Sequence, residues 1–187
     1  MRNRELAYCG LFGAAALLLP VLFHVIHLGH LFMPMYLPLV ALAFFVRPGM
    51  AALTAVLVPL ISGAATGMPP FYPPIAPVMS VELAAMAMMT GICRWFFPRS
   101  PALVILIPVL VFGRVINAGL MYLVASCMKL PATFVAGISF LSGWPGMVLM
   151  LVVIPAIVKL SIDHLKTPMG NPTNDKKHRR QSPNRVL

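Results

Sequence analysis

Long apolar runs separated by short polar or proline-rich connections dominate this chain, and their lengths predict transmembrane helices rather than a soluble core. The runs cover about Leu6–Val25, Leu28–Val46, Met50–Gly67, Ile75–Phe97, Ala102–Ser126 and Trp144–Ile162. The second is interrupted by Pro34 and Pro38, which remove backbone donors and break a helix. The stretch Leu130–Gly143 is also apolar, but its 14 residues are too few for a hydrocarbon core about 30 Å thick, so it reads as an external loop or half-helix. The predicted architecture is therefore all-α, a six-transmembrane-helix bundle over residues 1–166. The remaining segment 167–187, rich in Pro, Asn and basic residues without apolar periodicity, reads as a disordered basic tail.

Charge placement orients this bundle. Arg2 and Arg4, then Arg47, then Arg94 and Arg99, then Lys159 and Lys166 fall at alternate ends of the runs, with Lys129 the only basic residue on the opposite side. Lys and Arg concentrate in cytoplasmic loops, so both termini are expected in the cytoplasm and the protein in the cell membrane. The amino terminus imitates a signal peptide, yet no clear small-x-small cleavage site precedes a polar mature start, and it reads as a retained first helix.

Composition narrows the function classes. The 187 residues are 60% hydrophobic and 10% charged with a net charge of +10, and most of that charge lies beside apolar runs or in the tail, where it orients the chain and meets anionic lipid. Nucleic acid is not an expected partner. Cys9, Cys93 and Cys127 are scattered singly, without the spacing of a redox or disulfide framework. No nucleophile elbow, zincin motif or phosphate-binding glycine loop with its lysine is present, so neither enzymatic activity nor a cofactor is expected, and ATP-driven work would fall to another chain.

Two ionisable residues inside the runs carry the candidate chemistry. Glu82 lies in PVMSVELAAMAMM and Arg114 in VLVFGRVINAGLMY, with Asn117 one turn further on the same helix face. A charge at membrane depth costs about 2.5–3.5 kcal/mol on insertion scales, so each needs a partner, a pathway or a ligand. Arg114 suits a carboxylate or phosphate gripped through two parallel hydrogen bonds, and Glu82 suits ligand N–H or O–H groups. The bland reading is that the two neutralise each other as a buried pair. In the connection GMPPFYPPIAP, four prolines surround Phe71 and Tyr72, which makes it either a lid over an outer pocket or an aromatic interface belt. Trp144 has the same two readings. His24, His27 and His30 share a helical spacing but no acidic or thiol partner, so interfacial packing is preferred to a metal site. Gly10 with Ala14, Ala51 with Ala55, and Gly63 with Gly67 have the small-xxx-small spacing of close helix packing.

The run LFMPMYLPLVALAFFVRPGMAALTAVLVPLISGAATGMPP, followed by MSVELAAMAMMTGI and FGRVINAGL, resembles the substrate-binding S components of energy-coupling factor vitamin transporters over about Leu31–Tyr122. The resemblance implies a non-enzymatic subunit that captures a vitamin or vitamin precursor at the outer face. It also implies two kinds of partner, a membrane coupling subunit and two cytoplasmic ATPases, and toppling in the bilayer to release the ligand. It would place His30, Tyr72 and the segment before Trp144 near the ligand, with Glu82 and Arg114 lining the pocket beside Asn117. Members often carry an AxxxA coupling face in the first helix; here the nearest match is Gly10 to Ala14. A proton-coupled secondary carrier and a non-transporting membrane scaffold are the alternatives, although the two halves show no convincing inverted repeat.

Overall fold

A computed structural model describes residues 2–25, 34–72, 74–128 and 144–166. Among them are six helices and no strands: α1 (Arg2–Val25), α2 (Tyr36–Leu42), α3 (Pro48–Thr66), α4 (Ile75–Phe96), α5 (Ala102–Cys127) and α6 (Trp144–Lys166). Five of them, all but α2, contain stretches long and apolar enough to cross a membrane. Their outer faces carry exposed Leu, Val, Ile and Phe, among them Leu18, Leu57, Val81, Val111 and Val152. So much exposed apolar surface suits lipid and not water. The chain is a helical, multi-pass membrane protein.

The second predicted run behaves differently from the others. Among the described residues it supplies only the seven-residue α2, with Pro38 in its first turn, where the absent N–H costs nothing. Tyr36, Pro38, Leu39, Val40, Ala41 and Leu42 are all buried. This short helix touches α1, α3, α4 and α6 and so forms the hub of the bundle. A helix apolar on every side is what a position enclosed by other helices requires. The first six residues of the run, 28–33, lie outside the described residues, as do Lys129, the Leu130–Gly143 connection and the 167–187 tail.

The most extensive packing joins α3 to α4, followed by α4 to α5. Ala51 and Ala55 are completely buried, so this small-residue pair serves close packing. Gly91 on α4 abuts the Pro48 ring at the start of α3, leaving no room for a Cβ. The Gly63–Gly67 spacing has another use. Gly67 ends α3 in the left-handed conformation at φ 73°, with its N–H donating to the Gly63 carbonyl at 3.0 Å. A Cβ on Gly63 would stand 2.7 Å from the Pro69 carbonyl oxygen and 3.0 Å from the Phe71 ring. The glycine is therefore a seat for the returning loop, which Ser62 Oγ also fastens by donating to the Met68 carbonyl at 2.6 Å.

One end of the bundle collects the basic residues. Arg4 and Glu5 of α1, Phe44 and Phe45 after α2, Arg94 of α4, the 97–101 turn and Val158 and Ser161 of α6 line one cleft there. Glu5 accepts an ion pair from Arg47 at 3.3 Å. Arg94 donates to the Phe44 carbonyl and, at 3.5 Å, to that of Ala43, satisfying carbonyls that the end of α2 leaves open. Since α3 and α4 run away from and back to this end, the Gly67–Tyr72 connection lies at the opposite one.

Gly91→Ala is expected to lower the thermal midpoint of the detergent-solubilised protein, by an overpacking cost of about 1–3 kcal/mol. Gly119→Ala, with nothing within 4 Å of its added Cβ, is expected to leave the midpoint unchanged or slightly raised in the same measurement.

Candidate functional site

Three helices bring polar side chains to one point in an otherwise apolar interior. Glu82 of α4 is 1% exposed, Arg114 of α5 4%, Tyr36 of α2 5% and Asn117 of α5 8%. From the 1.5 Å helical rise, Glu82, Arg114 and Asn117 lie about 18–22 Å along their helices from the basic end, at matching depth. The antiparallel course of α4 and α5 sets that match, because the two are joined at the basic end by a short turn, Phe97–Pro101.

The centre of the cluster is the Glu82 carboxyl. Its Oε2 accepts a hydrogen bond from the Tyr36 hydroxyl and a second from Asn117 Nδ2 at 2.8 Å. Its Oε1 is buried and, among the described residues, has no hydrogen-bond partner. The Arg114 guanidinium carbon lies 6.0 Å from the Tyr36 ring centroid, within range of a cation–π contact. Its positive charge also acts on the Glu82 carboxylate. Arg114 packs next to Gly113, where a Cβ would meet Met86 of α4 at 2.5–3.1 Å, so the missing side chain lets α5 approach α4 at the level of the cluster.

The arrangement is chemically one-sided. One carboxylate oxygen is saturated by protein donors and holds α2, α4 and α5 together, while the other is buried without a donor among the described residues. A buried acceptor in that state carries a desolvation penalty of about 1–3 kcal/mol, more if charged, which an N–H or O–H donor from a bound molecule would relieve. The same carboxyl in its protonated form would become a donor at that oxygen.

Of the residues singled out in the sequence, Glu82, Arg114 and Asn117 are brought together. Tyr72 is 82% exposed and Trp144 53%, so neither is part of the buried cluster. Phe71 rests on Gly63 at the end of its own hairpin connection. Gly10 and Ala14 lie on the exposed face of α1, whereas Gly13 is the small residue of that helix turned toward α3, near Thr54 and Val58. His27, His30 and the His24 side chain lie outside the described residues.

Tyr36 escaped the sequence reading. The signal was present: a phenol in the apolar, proline-bounded segment MPMYLPLV needs an acceptor once buried, and Glu82 is the one acidic side chain inside the runs. Comparison with known proteins adds no assignment: no family model matches the chain, and no curated protein or solved structure does.

Removing the Tyr36 hydroxyl strips a donor from a buried carboxylate. Tyr36→Phe is therefore expected to destabilise the protein by about 1–3 kcal/mol, read as a lowered unfolding midpoint in detergent. In the Glu82→Leu background, where no carboxylate is left to satisfy, the same change is expected to cost much less.

Proposed function

We propose that this protein is the substrate-capture subunit of an energy-coupling factor importer, binding a small vitamin-like molecule within the bundle for ATP-driven uptake by partner subunits. The observation that carries the reading is Glu82 Oε1, buried and without a hydrogen-bond partner among the described residues, beside the charge of Arg114 at the meeting of three helices. A scaffold whose charges only had to be neutralised would have no use for an acceptor left open at membrane depth. In this reading Glu82 receives an N–H or O–H group of the ligand, Arg114 anchors an anionic group, and Asn117 and Tyr36 hold the carboxylate in place. The resemblance would put Tyr72, Trp144 and His30 near the ligand at the outer face.

In this reading the alternation of basic residues assigns the basic end to the cytoplasm, and the cluster would then lie in the outer half of the bilayer. That depth suits capture from outside. A membrane coupling subunit and two cytoplasmic ATPases complete the importer, and the exposed face of α1 with Gly10 and Ala14 is a surface on which a coupling helix could pack closely. The Glu82 carboxyl also suits a second reading, a carrier coupled to a proton on that group. Uptake that persists without the ATPases would favour it.

The direct test is mass spectrometry of small molecules released on denaturing protein purified in mild detergent. A stoichiometric compound is expected from the wild type. Arg114→Ala is expected to insert into the membrane normally and to bind that compound roughly tenfold or more weakly, as the loss of a charge-assisted hydrogen bond implies. Unchanged affinity in the folded variant would overturn the assignment of Arg114 as anchor, and an empty wild type that gains no thermal stability from vitamins or their precursors would overturn the capture reading.

A further inference from the structure

The cleft at the basic end has a composition that topology alone does not explain. It encloses about 660 Å³ between the start of α1, the end of α4, the 97–101 turn and the last part of α6. Three arginines reach its lining: Arg4, Arg94 and Arg99. Among the described lining residues the single acid, Glu5, is already paired with Arg47. Arg94 is fixed by its hydrogen bonds to the α2 carbonyls. Arg4 and Arg99 are exposed and, among the described residues, have no ion pair. The cleft also meets the start of α5 at Ser100–Ala102, where Pro101 is the N-cap and no side chain caps the helix. A 26-residue helix thus points its positive end at a site already rich in guanidinium groups. An anion bound here would relieve the repulsion among these charges.

The surroundings say where the anion comes from. Trp95, Phe96 and Phe97 are 78%, 65% and 62% exposed immediately beside the cleft. Bulky aromatic side chains exposed at the end of a spanning helix mark the headgroup level of a bilayer. Exposed Leu103 and Leu160 adjoin the cleft-lining stretches of α5 and α6, and offer apolar surface to acyl chains. A phosphate held between Arg4, Arg99 and the α5 N-terminus would therefore sit in the headgroup layer, with its chains in the hydrocarbon.

We propose that this cleft is a binding site for the phosphodiester headgroup of an anionic phospholipid, with Arg4 and Arg99 as the free cationic contacts and Arg94 as a fixed wall. The site is separate from the Glu82 cluster and stands whether or not the protein captures a vitamin.

Native mass spectrometry of the full chain, purified in mild detergent and titrated with phosphatidylglycerol, phosphatidylcholine or inorganic phosphate, tests it. One retained phosphatidylglycerol per protein is expected, with phosphatidylcholine far weaker and millimolar inorganic phosphate unable to displace the lipid. The paired substitution Arg4→Gln with Arg99→Gln is expected to reduce retention roughly tenfold or more, while the exposed position of both residues leaves the thermal midpoint of the lipid-free protein unchanged. Substituting the tail residues Lys176 and Lys177 by Gln is expected to leave retention unaffected. Equal retention of both lipids, or retention unaltered in the paired variant, would overturn the proposal. Binding of inorganic phosphate at the expense of phosphatidylglycerol would assign the arginines to a soluble phosphate and overturn the lipid assignment.

Discussion

Glu82 is almost wholly withdrawn from solvent, and a carboxyl group so placed must obtain its hydrogen bonds from its neighbours. Tyr36 and Asn117 supply them to one oxygen only. Much of the bundle follows from that requirement. Helix α2 has to be short and buried to carry the Tyr36 hydroxyl inward. Asn117 and Arg114 have to share a face of α5. Gly113 keeps α5 close to Met86 at that level, and the α4–α5 turn fixes the relative depth of the two helices. Oε1, without a donor among the described residues, then becomes the point at which a bound molecule changes the energy of the interior most.

The two ends of the bundle divide the remaining work. At one, Gly63, Ser62 and Gly67 fold the Met68–Phe71 segment back over the end of α3. At the other, Arg94 ties α4 to the open carbonyls of α2, and Glu5 with Arg47 ties α1 to the start of α3. Surface ion pairs contribute little in water, generally below about 1 kcal/mol. Here the pairing occupies Glu5 and leaves Arg4 and Arg99 of the cleft without an ion pair among the described residues. The basic residues read from sequence as orientation signals thus have two further uses, as helix-end partners and as an anion cleft.

Five of the six helices were legible within a few residues, because each buries or exposes apolar surface along a length set by the bilayer and its ends carry proline, glycine or charge. The second run was less so. Its hydropathy matches that of the spans, but only residues 36–42 of it form a described helix, and that helix is enclosed by protein; hydropathy does not distinguish a lipid-facing neighbour from a protein-facing one. The core of the site was legible for the same reason that it is expensive: Glu82, Arg114 and Asn117 stand out against apolar sequence. Tyr36 did not, since a tyrosine near a proline-rich connection is as readily an interface residue, and its role depends on how far α2 is buried. The Gly63–Gly67 spacing shows the opposite failure, a helix-packing motif that serves a turn, because a C-terminal glycine in the left-handed conformation repeats the same four-residue interval. Gly10 and Ala14 had the right spacing too, but helix rotation, invisible in sequence, turns Gly13 toward α3 instead.

Tyr36 and Asn117 act together on one carboxylate to lock three helices. A double-mutant cycle of Tyr36→Phe and Asn117→Leu, read as unfolding free energy in detergent, measures this directly. Two donors on one buried oxygen should be coupled, with an interaction energy between about 0.5 and 3 kcal/mol. Additivity of the two changes to within about 0.3 kcal/mol, the range found for independent sites, would show that the residues do not share Glu82 and would contradict the cluster as the organising contact of the bundle.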